Sequence, residues 1–260
     1  MRISFIGFGN MAKSIAKGLL CDASHHLSAA APSLPEGINE QGIHTYPNNL
    51  TVLKDADVLI LAVKPFHMKA VMEQISGKVP KQCLVISVAT GLTLDWYASH
   101  LPQQAIVRAM PNIAAAVGAS ATPLLANGYV LEAQRHFVEQ VFKQLGIMTW
   151  VTKDGDIDVF TAVSGSGPAY VFFFMEAIIK TALELGLSKE IATTFTLQTL
   201  QGAVDLVKES GLDISDLRNK VTAKAGTTEA ALRVFTAHKL EELIDEAIHA
   251  AYNRAKQLAT

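Results

Sequence analysis

Through residue 150, short runs of apolar and β-branched residues alternate with stretches whose apolar positions recur every three to four residues. A period of two marks a strand and a period of 3.6 a helix. The pattern predicts strands at 2–6, 27–31, 43–46, 57–63, 83–87, 105–110, 128–130 and 148–151, and helices at 10–20, 68–75, 93–98 and 131–145. The run Asp57-Val-Leu-Ile-Leu-Ala-Val63 is apolar on both sides of its pleat, as in a strand covered on both faces. Strands alternating with helices predict an α/β fold with a mostly parallel, doubly wound sheet.

After about residue 155 the strand signal stops, and helices are predicted at 168–185, 189–209, 213–219, 228–235 and 239–257. The first of these starts with Pro168 at a first-turn position and is apolar nearly all round, as in Tyr170-Val-Phe-Phe-Phe-Met175. A helix of that kind is buried in a core or an interface. The change of period predicts two domains, an α/β domain over 1–153 and an all-helical one over 154–260. Two uncharged stretches, 109–131 and 159–175, are interrupted, the second by Ser164-Gly-Ser-Gly-Pro168. Neither supplies about 20 unbroken apolar residues, so no membrane span is expected.

Composition narrows the function. Charged residues make up 18% of the 260, against a usual share of about 25%. Together with a mean hydropathy of +0.26, this predicts surface hidden in an oligomer. With 22 basic and 24 acidic residues there is no basic excess for nucleic acid. Cys21 and Cys83 are unpaired in sequence and no HExxH occurs, which predicts a reduced, cytoplasmic protein without a metal site. Nothing near Arg2 resembles a signal peptide.

The strongest chemical signal follows the first strand, in Gly7-Phe-Gly9-Asn-Met-Ala12. Gly7 permits a tight turn, Gly9 lets the backbone approach a pyrophosphate, and Ala12 stands where a small residue packs helix on strand. The helix that opens there offers free N–H groups to phosphate. A glycine-rich turn without a ligand has the same letters, but strand before and helix after favour a dinucleotide. NAD-type sites place an acid about 20 residues on, to hold the ribose 2′-hydroxyl. Between Ala23 and Pro35 there is none, and Ser33 offers a donor, so NADPH is expected to bind at least as well as NADH.

Four further segments are Ala62-Val-Lys-Pro65, Ala109-Met-Pro-Asn112, Ser164-Gly-Ser-Gly-Pro-Ala-Tyr170 and Val221-Thr-Ala-Lys-Ala-Gly-Thr-Thr228. In this order and spacing, and over essentially the whole chain, the sequence resembles the pyrroline-5-carboxylate reductase family. The resemblance implies an N-terminal Rossmann-like domain and a C-terminal all-helical dimerisation domain, with homodimers that often assemble into larger rings. It implies hydride transfer from NAD(P)H to the C=N carbon of Δ1-pyrroline-5-carboxylate, giving L-proline. Gly7, Phe8, Gly9, Asn10 and Met11 would hold the pyrophosphate, and Asn49 would lie near the adenosine ribose. Ala62, Val63, Lys64 and Pro65 would line the cofactor, Ala89 and Gly91 would lie beside the nicotinamide, and Asn112 would belong to the same site. Thr222, Ala223, Gly226, Thr227 and Thr228 would bind the substrate, with Thr228 near the ring nitrogen.

The residues of that last loop admit a plainer reading, in which Thr227 or Thr228 is only a helix N-cap. The loop also departs from the family pattern TSxGGTT. Ala223 stands for a serine that would help hold the carboxylate, and Ala225 for a glycine, which is expected to close positive φ to the loop. Two alternatives therefore stand beside this reading: a nucleotide-binding paralogue without turnover, and a reductase or dehydrogenase of a related imino or hydroxy acid. The hydroxy-acid version would need the lysine of GxGxxxK, where this chain has Val171.

Overall fold

The chain, described over residues 1–258 in a computed structural model, builds one nine-stranded sheet and ten α-helices among those residues. In chain order these are β1 (Arg2–Ile6), α1 (Asn10–Leu19), β2 (His26–Ala30), β3 (Gly37–Ile38), β4 (His44–Tyr46), β5 (Val58–Leu61), α2 (Pro65–Ile75), β6 (Leu84–Ser87), α3 (Leu94–His100), β7 (Ala105–Ala109), β8 (Ser120–Ala126), α4 (Glu132–Lys143) and β9 (Gly146–Trp150). The sheet order is β3-β4-β2-β1-β5-β6-β7-β8-β9. Its pairings are parallel except β3 with β4 and β7 with β8. This is the doubly wound Rossmann-like fold that the pattern implies.

Period-two alternation divides the strands between two cores. Ile3, Phe5, Val58, Ile60, Leu84 and Ile86 pack with α1 and α4 on one face. Ile6, Leu59, Leu61 and Val85 pack with α2 and α3 on the other. Covering both faces is why these strands read as continuous apolar runs.

The last strands differ from expectation. Residues 128–130 form a turn, and the strand is β8. Pro123 hides it, because proline argues against an interior strand. Its carbonyl still serves the ladder, accepting from Met110 N–H at 3.1 Å.

The rest of the chain is helical: α5 (Asp154–Phe160), α6 (Gly167–Glu184), α7 (Lys189–Ser210), α8 (Ile214–Lys220), α9 (Thr227–Ala237) and α10 (Leu240–Leu258). Contacts divide the molecule into two compact units, Met1–Pro168 with the chain from Ala250 onward, and Ala169–His249. The last turns of α10 thus belong with the sheet, where Ala255 is buried.

Helix α6 opens at Gly167 with Pro168 in its first turn, as the sequence reading expects, but it runs on from α5 through a π-turn, so Ser164–Pro168 does not interrupt the helical stretch. Thr161–Gly165 is a π-helical turn, closed by Ser166 N–H donating to the Thr161 carbonyl at 2.8 Å. Pro168 has no N–H for the carbonyl four residues back, that of Ser164. Asn112 Nδ2 donates to that oxygen instead, at 2.9 Å. The result is a helical stretch, Asp154–Glu184, that is long and apolar enough by length and composition to cross a membrane.

A buried charge cluster fastens α5 to the sheet. Arg108 on β7 is 3% exposed and pairs with Asp154, which also accepts from Leu94 N–H at 3.2 Å. One turn on, Asp158 is buried as well. Desolvation raises its pKa; the nearby Asp154 adds to the rise, while Arg108 and Lys256 oppose it. Removing Asp154 leaves a buried guanidinium unpaired, so Asp154→Ala should lower stability by about 3–5 kcal/mol in denaturant melts. Asp158 should behave oppositely. A carboxyl whose folded pKa lies above its unfolded one stabilises the fold below the unfolded pKa, and that stability is lost as pH rises through the folded value. Asp158→Asn should therefore raise Tm by about 1–3 °C at pH 7, with the gain shrinking toward pH 4. A gap independent of pH would contradict this.

Candidate functional site

The site in the first unit is built where the sheet order reverses direction, between β1 and β5. Gly7 has φ +84°, open to glycine but strained for other residues. A Cβ there would lie 2.7 Å from Val63 Cγ1 and 2.8 Å from the Ala62 backbone, so the β1 turn and the β5 end touch through a bare glycine. Gly9 is different. It caps α1, and a Cβ on it would meet nothing within 4 Å. Space therefore lies open above the N–H groups of Asn10, Met11 and Ala12, which have no intrahelical partners. The first turn of α1 carries no acid. This is a cradle for an anion, and the residues present fit a pyrophosphate.

Phe8 contributes only backbone, because its ring is buried edge-on against Phe5. Ser33 is exposed in the turn after β2, which closes with Leu34 N–H donating to the Ala31 carbonyl at 2.9 Å. Asn49 opens a 3-10 turn after β4; its Nδ2 donates to Gln74 Oε1 at 2.8 Å. Its Oδ1 is buried with no hydrogen-bond partner among the described residues, leaving capacity for a donor. Ala62 and Val63 follow β5, Lys64 caps α2 in an extended conformation with its side chain exposed, and Pro65 is the first residue of that helix.

Two expected cofactor residues have structural duties of their own. Gly91, at φ +85°, would place a Cβ 2.7 Å from the Leu258 carbonyl oxygen, so its glycine admits the end of α10. Asn112 caps the 3-10 turn Ile113–Val117 and spends its amide on Ser164. Ala89 is buried just after β6, its N–H donating to Ser87 Oγ.

The second unit carries the loop before α9. Gly226, not Thr227 or Thr228, is the N-cap of α9. The capping reading of the two threonines is thereby corrected: Thr227 and Thr228 are the first two helical residues. The Thr228 side chain is half-buried, with no hydrogen bond among the described residues. Thr222 Oγ1 donates to the Arg218 carbonyl at 2.6 Å, and Gly226 N–H to Ala223 O at 3.0 Å. Ala223 itself is exposed. Ala225 does not close positive φ to the loop: it adopts φ +59° in spite of its Cβ. Its N–H donates to Glu229 Oε2 at 2.6 Å. Glu229 was legible only as a glutamate three residues past a helix cap, the capping-box spacing, and sequence reasoning passed over it.

A doubly wound sheet with an open glycine turn at its switch point, followed by a helical unit, defines a Rossmann-type dinucleotide-binding oxidoreductase. Residues 154–258 match the family model described as pyrroline-5-carboxylate reductase dimerisation, and residues 2–91 that of NADP oxidoreductase, coenzyme F420-dependent. A pyrroline-5-carboxylate reductase of Pseudomonas aeruginosa is 38% identical, over 99% of this chain and 97% of that one. A Coxiella burnetii pyrroline-5-carboxylate reductase structure is also 38% identical, with TM-score 0.87 over 99% of this chain and 98% of the other. A Plasmodium falciparum pyrroline carboxylate reductase, solved with NADP bound, superposes with TM-score 0.91 at 26% identity, covering 100% and 98%. The chain belongs to the pyrroline-5-carboxylate reductase family.

The two turn glycines should separate binding from folding. Gly9→Val fills the open cradle and should abolish NADPH binding in a fluorescence titration, with an unchanged melting curve. Gly7→Ala forces a Cβ into Val63 and Ala62 and should cost about 1–3 kcal/mol of stability. Normal NADPH affinity in Gly9→Val would contradict the assignment.

Proposed function

We propose that the protein reduces Δ1-pyrroline-5-carboxylate to L-proline with NADPH, NADH serving less well or equally, as a cytoplasmic homodimer that engages neither nucleic acid nor membrane. The observation that carries this reading is the acid-free, open turn at Gly7–Ala12, in a chain whose family is named for that reaction. The two alternatives, a paralogue without turnover and a reductase or dehydrogenase of a related imino or hydroxy acid, have no such support: curated relatives over 99% of this chain carry the pyrroline-5-carboxylate reductase name.

When bound, the dinucleotide supplies the hydride that the C=N carbon receives. The chain's own residues bind and orient. Asn10 and Met11 present N–H groups to the pyrophosphate, with Phe8 and Gly9 shaping the turn. Ser33 faces the 2′-phosphate and Asn49 the ribose; Ala62, Val63, Lys64, Pro65, Ala89 and Gly91 line the rest, and Asn112 holds the segment behind it. In the substrate loop, the N–H groups of Thr227 and Thr228 receive the carboxylate, and the free Thr228 hydroxyl lies toward the ring nitrogen. An iminium accepts hydride far better than a neutral imine. Glu229 is committed to Ala225 N–H, so the loop holds no free acid, and the proton comes from solvent. Catalysis is then mainly the positioning of two reactants.

Thr228→Ala should lower kcat and kcat/KM together by about 10–100-fold, the effect of losing a hydrogen bond near the reacting centre. Because Thr228 is not a cap, its stability should change by no more than about 0.5 kcal/mol. A normal kcat would remove it from the site. Ala223→Ser should act on binding alone, lowering substrate KM by up to about tenfold, equivalent to 1.4 kcal/mol. Titration of both cofactors should give a Kd for NADPH no higher than that for NADH; a clear NADH preference would contradict the 2′-phosphate reading.

A further inference from the structure

Ala225 is one of four non-glycine residues at positive φ among those described, and it lies within the loop read as the substrate site. A left-handed alanine persists only where its surroundings over-determine it. Two contacts do so here. Gly226 N–H closes a turn onto Ala223 O at 3.0 Å, and Glu229 Oε2 accepts the Ala225 N–H at 2.6 Å, a short, charge-assisted bond. Glu229 lies on the first turn of α9, where the helix dipole favours a carboxylate. Arg233, one turn on, places Nη2 3.9 Å from the same oxygen.

We propose that Glu229 is a positioning residue for the reduction: it latches Ala225 in the left-handed conformation and so sets the loop in which Thr227 and Thr228 meet the substrate. This rests on the reading of residues 222–228 as the substrate site. The latch does not touch the substrate. It acts through the backbone, and an alanine at 225 makes it necessary. A glycine there would reach the same φ without help.

Four variants of the full-length chain test this: Glu229→Ala, Glu229→Gln, Ala225→Gly and the double variant Ala225→Gly/Glu229→Ala. Steady-state kinetics with pyrroline-5-carboxylate should show Glu229→Ala raising KM at least fivefold, with kcat and the NADPH Kd within twofold of wild type. Glu229→Gln keeps an acceptor oxygen and should recover most of that loss. Adding Ala225→Gly should cut the KM penalty of Glu229→Ala to under twofold. An equal penalty in both backgrounds would overturn the proposal, since a merely structural glutamate is not rescued by glycine at 225. Amide exchange supplies a readout independent of turnover. The Ala225 amide should exchange at least tenfold faster in Glu229→Ala, and unchanged exchange overturns the latch. Faster exchange with unchanged KM shows instead that the latch exists but the loop is not the substrate site, which overturns the reading beneath it.

Discussion

The helical unit is governed by apolar surface that one chain leaves bare. None of the residues of α6 is buried, and Phe172, Phe173, Phe174 and Ile178 all stand exposed, Phe173 by 74%. On α7 only Ala192 and Thr196 are buried, while Ile191, Phe195, Leu197 and Val204 are exposed. Burying one large apolar side chain stabilises by about 1.5–3 kcal/mol. Eight such residues therefore rival the whole net stability of a domain, about 5–15 kcal/mol. Such a surface has to be covered. The match of residues 154–258 to a dimerisation family points to a second copy as the cover, although α5 and α6 together also meet the length and hydropathy of a membrane span.

The same helical stretch explains why two of the most distinctive sequence segments occur together. Pro168 deprives the Ser164 carbonyl of its helical donor, and Asn112 supplies one from 52 residues away. Gly165 gives room for Met110, whose Cε would lie 3.2 Å from an added Cβ. The Met-Pro-Asn and Ser-Gly-Ser-Gly-Pro segments are thus two halves of one joint, in which a side-chain amide donates to the carbonyl that Pro168 leaves without a helical donor.

What the sequence made legible follows from the range of the forces involved. The β1–α1 turn is local, so Gly7, Gly9 and Ala12 state its geometry in six residues. The core strands announce themselves because both faces are covered. By contrast, β8 was hidden by Pro123, whose tolerance depends on a ladder that only the folded sheet reveals. The π-turn needed Asn112, too distant in sequence for any local pattern. In the helical unit, Gly226 as the cap and Ala225 at φ +59° were both misread, because Gly226 caps with no side-chain bond and Ala225 N–H meets the Glu229 carboxylate four residues on. An alanine at a left-handed position is legible only once its partner is seen.

The helical unit rests most on cover of its bare apolar surface by a second copy of the chain. Sedimentation velocity of the full-length protein, from low micromolar concentration upward, measures this directly. The mass should be twice that of the 27.9 kDa chain, or a multiple of that dimer, at every concentration where the protein is folded. A folded, soluble monomer that reduces pyrroline-5-carboxylate would contradict it.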